Sequence, residues 1–260
     1  MDKILKEIAD SYPSLNTVEA VVVAGSRTAN QSDELSDYDI YVYCTNDPDI
    51  EFRTNLAKKY ASLYEIDNRY FETGDEWLLK DGNNKFDFMF RNLDFAEAEI
   101  KYVFKEHNAK VGYTTCFLHN IATSQILFDK NGRFKALKEQ LNEPYPNELK
   151  KNIIHKNLML LSEKQNASYL EQISNAIKRD DIVSVNHRIA AFLASYFDII
   201  IALNEKFHPG EKRLINFCIK NCSLLPQDFE KNIKALLNSK NNEKLDILAN
   251  MIDELKKILP

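Results

Sequence analysis

Cysteine, glycine and proline are all scarce in this 260-residue chain, at four, six and seven residues. Four cysteines (Cys44, Cys116, Cys218 and Cys222) are too few to staple a chain of this length, which excludes a disulfide scaffold. With 44% hydrophobic and 28% charged residues, the low glycine and proline content also excludes collagen-like, low-complexity and generally disordered architectures. Basic residues fall short of acidic ones, 34 against 39, for a net charge of -5. A dedicated nucleic-acid binder would instead carry a basic face. Long apolar runs are missing as well. The most apolar stretch, Ile189 to Leu203, contains Asp198 and is too short to span a membrane. The N-terminus, MDKILKEIADSYPSL, alternates charged and apolar residues and lacks a signal-peptide core. These absences predict a cytoplasmic protein whose partner is a small molecule, a cation or a protein rather than a membrane or nucleic acid.

What is present divides into two halves. The segment NEPYPN, at 142–147, places two prolines among turn formers. Before it, short β-rich runs alternate with helical patterns; after it, every segment reads as helix. Residues 1–145 hold 17 basic and 25 acidic side chains, net -8, whereas residues 146–260 hold 17 and 14, net +3. The expectation is an α+β chain: a mixed β-sheet domain flanked by helices over residues 1–143, then an all-α helical bundle over 144–260.

In the first half, Lys3–Ser11 reads as an amphipathic helix. Val18–Ala24 (VEAVVVA) reads as a buried strand and Asp37–Cys44 (DYDIYVYC) as a second one. Helical spacing returns over Glu51–Leu63. Glu76–Lys80 and Lys85–Arg91 flank DGNN, a hairpin signal. Asp94 with Glu97 resembles a capping box opening a helix to about Glu106. Gln125–Phe128 is one more candidate strand, followed by the turn DKNG and a helix to Leu141.

The chemistry concentrates in VVVAGSRTANQSDELSDYDIYVY, residues 21–43. A buried strand ends in Gly25-Ser26 and a helix can begin after it. Glycine permits close approach of a phosphate to the backbone, and free N–H groups at a helix start, with the Ser26 hydroxyl, would face it. Arg27 adds positive charge beside the same place, although Gly-Ser at a strand end also serves as a plain turn. Asp37 and Asp39, one residue apart on a strand, project from one face. Their Cα atoms would stand roughly 6–7 Å apart, close enough to share divalent ions. The bland alternative is a solvent-facing strand with two acids. In KFDFMFR, residues 85–91, period-2 alternation puts Asp87 opposite the phenylalanines. Asp87 is thus either a water-facing edge residue or the third member of a carboxylate triad.

Elsewhere the alternatives lean towards structure. Cys218 and Cys222 lie four apart on a predicted helix, but no nearby Cys or His pair completes a metal site, so they read as buried thiols. Lys212 and Arg213 are either phosphate-binding cations or a solvated helix start. His208, before Pro209, reads as the end of the preceding helix. His187 and Arg188 read as structural helix residues, and Trp77 as core rather than a base-stacking platform.

Taken together, hydrophobic-Gly-Ser, ten intervening residues, Asp-x-Asp on a strand and a third carboxylate on a later strand resemble the nucleotidyltransferase superfamily. That superfamily includes DNA polymerase beta-like enzymes, poly(A) polymerases, antitoxin-type proteins and the adenylyltransferases that modify aminoglycosides and lincosamides. DEWLLKDGNNKFDFMFRNLDF and ALNEKFHPGEKRL are in addition similar to a bacterial branch with a DUF4037-type helical C-terminal domain. The resemblance implies that Asp37, Asp39 and Asp87 are catalytic and hold magnesium, with two ions expected. It also implies that Gly25, Ser26, Arg27 and Lys212 bind the nucleotide, ATP or another NTP. The implied reaction transfers a nucleoside monophosphate, AMP from ATP, to a hydroxyl of a small-molecule acceptor resembling an aminoglycoside or lincosamide. An acceptor on protein or tRNA, and a non-catalytic nucleotide-binding module, are the two rival expectations.

Overall fold

The computed structural model describes residues 3–25, 37–70, 72–162 and 168–260. By internal contacts the chain forms two compact units, Met1–Lys101 with Asn120–Glu143, and Tyr102–His119 with Pro144–Pro260.

The first unit is built on a six-stranded mixed sheet. Its strands are β1 (Val18–Ala24), β2 (Tyr38–Cys44), β3 (Ala61–Asn68), β4 (Gly74–Leu79), β5 (Lys85–Arg91) and β6 (Gln125–Asp129). Their order is β3-β4-β5-β2-β1-β6. Only β2 and β5 pair in parallel; the remaining pairs are antiparallel. One sheet face carries Val21, Val23, Ile40, Val42, Phe86, Phe88 and Phe90, packed with Leu5 and Ile8 of α1 (Lys3–Ala9) and Leu56 of α2 (Ile50–Tyr60). Burying each such side chain contributes roughly 1.5–3 kcal/mol, which fixes which face of every strand points inward. Trp77 lies in this core, its ring centroid 4.4 Å from that of Phe88. On the opposite face, Tyr43 meets Phe134 of α5 (Arg133–Gln140).

The β4–β5 hairpin forms as the sequence predicts. Asp81 accepts hydrogen bonds from the backbone N–H of Asn83 (2.9 Å) and Asn84 (3.1 Å), while Gly82 takes φ +76°. Two local expectations change. The helical spacing after Glu51 stops at Tyr60, and Ala61–Asn68 is the edge strand β3, because pairing with β4 satisfies its backbone. The cap of α3 (Leu93–Glu99) is Asn92, which accepts from the Asp94 N–H at 2.8 Å. Asp94 and Glu97 instead hold Arg133, each at 2.6 Å. A π-helical turn, Ile100–Lys105, follows α3, and α4 (Cys116–Thr123) precedes β6.

The second unit is helical: α6 (Asn147–Ser162), α7 (Tyr169–Lys178), α8 (Ile182–Leu203), α9 (Leu214–Asn221), α10 (Phe229–Asn238) and α11 (Asn241–Ile258). Helix α8 is long and apolar enough to cross a membrane by length and composition, but 61% of that window is buried inside the protein. It is the core helix, surrounded by Ile173, Phe217, Phe229, Ile233, Leu248 and Leu255. Cys218 and Cys222 are buried here as free thiols. His187 and Arg188 are exposed on α8.

Residues 102–119, which the sequence groups with the sheet, belong to this helical unit for a polar reason. Asp198 is buried on α8 and needs donors. Thr114 supplies its N–H (3.1 Å) and hydroxyl (2.7 Å), and Asn157 its amide at 3.2 Å. The Gly112 N–H in turn donates to Asn157 at 3.0 Å. His208 does not end a helix: α8 stops at Leu203, and the His208 N–H donates to the Thr115 hydroxyl at 2.8 Å.

Candidate active site

Strand β1 delivers the chain to Gly25, whose φ of +76° turns it out of the sheet. The residue before it, Ala24, pairs with Asp39 on β2. Asp39 pairs with Asp87 across the parallel β2–β5 ladder. Two of the three predicted acids therefore stand opposite each other on the sheet face away from the Phe86–Phe88–Phe90 core. Asp37 is half-buried one residue before β2 begins.

The row continues where sequence reading did not look. Asp87 pairs with Glu76 on β4, and Glu76 with Glu65 on β3. Directly paired residues share a face with Cβ atoms roughly 4.5–5.5 Å apart, so four carboxylates line up across four strands. The only sequence signal was period-2 alternation within each strand; the register that aligns them is a property of the pairing. Glu65 accepts from the Tyr70 hydroxyl at 3.0 Å. A cavity of about 480 Å³ lies along this row, lined by Glu65, Glu76 and Asp87 with Leu63, Leu78 and Lys85.

Gly25 is favoured by its positive φ and by the close approach of the Asp39 side chain. A Cβ there would stand 1.7 Å from Oδ2 of Asp39 and 2.8 Å from its Cγ, so the backbone at the end of β1 lies against the carboxylate. Ser26 and Arg27 lie outside the described residues. Lys212 is exposed in the second unit, two residues before α9.

Along the same face, Tyr41 and Arg91 brace the site. The Arg91 guanidinium lies 4.3 Å from the Tyr41 ring centroid and donates twice to Glu72, at 2.6 Å each. Burial opposes the Arg91 charge, but the Glu72 hydrogen bonds and nearby phenols outweigh it and raise its pKa. Burial also raises the Tyr41 phenol; Arg91 pulls it down and Asp39 pushes it up. The Asn120 amide donates to the Tyr41 oxygen at 3.2 Å.

Among the described residues, no three Asp, Glu, His or Cys side chains gather closely enough to hold a metal on their own. The donor set nevertheless fits magnesium, which takes hard oxygen ligands and is usually held by one or two carboxylates together with substrate phosphates. Asp39 and Asp87 supply the carboxylates, and the Gly25 backbone lies against the first of them.

Two family models match the chain. Residues 3–92 match the family model described as polymerase beta, nucleotidyltransferase, and residues 113–214 match a domain of unknown function, DUF4037. Among solved structures, a nucleotidyltransferase-like protein from Exiguobacterium sibiricum is similar at a TM-score of 0.46 and 12% identity, covering 98% of this chain and 74% of that one. A CCA-adding enzyme solved with ATP is similar at 0.29 and 14%, covering 99% and 82%. The Thermotoga maritima CCA-adding enzyme is similar at 0.27 and 12%, again covering 99% and 82%. No curated protein matches the chain. The sheet unit, with Asp39 on β2 paired to Asp87 on β5, carries a nucleotidyltransferase domain of the polymerase beta kind over residues 3–92, and residues 113–214 match DUF4037.

Proposed function

We propose that the protein transfers AMP from ATP to a hydroxyl group of a small, cationic acceptor of the aminoglycoside or lincosamide type. The observation that carries the reading is the Asp39–Asp87 pair with the Gly25 backbone against it. Asp37, Asp39 and Asp87 would hold magnesium, and Gly25, Ser26 and Arg27 would hold the triphosphate. Magnesium, when bound, supplies charge neutralisation on the phosphate oxygens. The acceptor oxygen bonds to the α-phosphorus as the bond from that phosphorus to the β-phosphate bridging oxygen breaks. Pyrophosphate leaves, and the acceptor proton passes to the Asp87 carboxylate.

A cationic acceptor is favoured by the continuation of the acid row. Glu76 and Glu65 extend it beyond the residues the transfer needs, along the cavity that Asp87 also lines. Carboxylates directly opposite one another repel, and an ammonium-bearing acceptor would relieve that cost.

The test is α-labelled ATP with magnesium and a panel of aminoglycosides, lincosamides and neutral polyols. Label should move to the cationic acceptors, and Asp39→Asn should stop it while the protein stays folded. Glu76→Gln should lower kcat/KM about tenfold for cationic acceptors, the loss of one charge-assisted contact, and leave neutral ones unchanged. Full activity in both Asp37→Asn and Asp39→Asn would remove this site assignment. Label appearing on protein or tRNA would replace the small-molecule acceptor.

A further inference from the structure

The helical unit has a cavity of its own, of about 530 Å³, bounded by α8, the start of α9 and α10. That volume falls in the usual range for small-molecule sites. Its apolar part comes from Ala190, Ala194 and Phe197 on α8 and Ile233 on α10. The alanines, four apart on one helix face, leave the space that larger side chains would fill. Tyr113 and Glu211 complete the wall. Two lining residues, Tyr113 (φ 54°) and Arg213 (φ 57°), hold left-handed backbone conformations. Such conformations cost of order 1–3 kcal/mol for side-chain-bearing residues and cluster at ligand sites.

Charge decides what this cavity takes. Of the four charged residues in its wall, Lys234 and Glu230 neutralise each other at 2.6 Å. Arg213 has an interaction of its own. Glu211 makes no ion pair or hydrogen bond among the described residues, and its charge is felt by the neighbouring Tyr113 phenol. An unpaired carboxylate beside an aromatic ring, above an apolar floor, suits a positively charged head on an apolar body.

We infer that the helical unit carries a second ligand site, between α8, α9 and α10, that binds a small organic cation through Glu211 and Tyr113. The site is separate from the acid row of the sheet unit and does not depend on the proposed transfer reaction. Its ligand is a monocationic amine with an aromatic or aliphatic body.

The probes are 4-phenylbutylamine, protonated at pH 7, and its neutral counterpart 4-phenylbutanol. They are titrated calorimetrically into the full chain without nucleotide. The ammonium form should saturate one site at least tenfold more tightly than the alcohol. Glu211→Gln should erase that preference, and Ala190→Trp, at an exposed position on the cavity rim, should abolish saturable binding of both probes. A thermal melt confirms that each variant is folded. Absence of saturable binding, equal binding of amine and alcohol, or binding unchanged in Ala190→Trp would each overturn the inference. Because the readout is binding without ATP, none of these outcomes bears on the nucleotidyl transfer.

Discussion

Asp39 and Asp87 face each other as direct partners on the parallel strands β2 and β5, two carboxylates held in register by the hydrophobic pairing of Ile40 to Val42 against Phe88 to Phe90. Like charges in that position cost roughly 0.2–1 kcal/mol in a sheet without a cation. Activity and metal-free stability should therefore move in opposite directions. Asp87→Asn is expected to raise the metal-free melting temperature by about 1–3 °C. It should also abolish the stabilisation produced by magnesium with ATP and reduce transfer by at least about 100-fold. Melting curves with and without magnesium and ATP, set beside the labelled-transfer assay, check all three. A variant that loses activity and stability together would point to a merely structural Asp87.

Gly25 and Gly82 offer a matched pair of substitutions. Both have φ +76°, but a Cβ on Gly25 meets the Asp39 carboxylate at 1.7 Å, whereas one on Gly82 meets nothing within 4 Å. Alanine in the left-handed region costs about 1–2 kcal/mol at either place. Gly82→Ala should show that loss in urea unfolding and keep full transfer activity. Gly25→Ala should show the same loss and, in addition, displace the Asp39 side chain and end transfer. If both variants remain active, close approach of the Gly25 backbone is not part of the site.

How much of this was legible in the sequence follows from the range of each interaction. The valines of β1 and the alternation in β5 are local, so both strands fall where the pattern puts them. The edge strand β3 was not legible, because helical spacing runs on past Tyr60 and only pairing of Tyr64 with Trp77 and its neighbours decides otherwise. Glu65 and Glu76 stayed invisible as site residues for the same reason: their alignment with Asp87 is set by register between strands. The regrouping of residues 102–119 depends on Thr114 meeting Asp198, 84 positions away, which no local pattern encodes.

Arg53 is the buried counterpart of this long-range ordering. Its side chain is 1% exposed and donates to Asp75 (2.6 Å), Asp67 (3.2 Å) and the Pro48 carbonyl (2.9 Å). Burial raises the Asp75 carboxyl despite this arginine, while the Arg53 hydrogen bond lowers that of Asp67. Arg53→Met leaves the fully buried Asp75 without its counter-charge and should cost about 3–5 kcal/mol in urea unfolding. Adding Asp75→Leu should recover much of that loss, since a well-packed apolar pair avoids the desolvation of both charges. Failure of the double variant to recover would mean that the β3–β4 end depends on the Asp75 bond to the Asp67 N–H, at 2.8 Å.

The helical unit holds two buried groups whose pH effects oppose each other. Burial pushes Asp198 up to about 6, against the donors Thr114 and Asn157, which favour its charge. Its folded pKa lies above the unfolded value of 3.8, so the folded state binds the extra proton between about pH 4 and 6. From this group alone, stability is greatest below pH 4 and falls by roughly 1.4 kcal/mol per unit as pH rises to 6. His208 behaves the other way. Burial, with His119 nearby, lowers it to about 3. The Gly210 N–H donates to its Nδ1 at 3.1 Å, which leaves the neutral ring's proton on Nε2, where it has no hydrogen-bond partner among the described residues. The unfolded state binds the extra proton between about pH 3 and 6.5, so the His208 contribution falls as pH drops through that window, by a similar amount per unit. Over pH 4–6 the two slopes nearly cancel. Urea unfolding at pH 4.5, 5.25 and 6 should therefore show opposite changes in the two variants. Relative to the wild type, Asp198→Asn should gain stability as pH rises, and His208→Gln should gain it as pH falls. Parallel pH profiles for the wild type and both variants would mean that neither group titrates differently in the folded and unfolded protein.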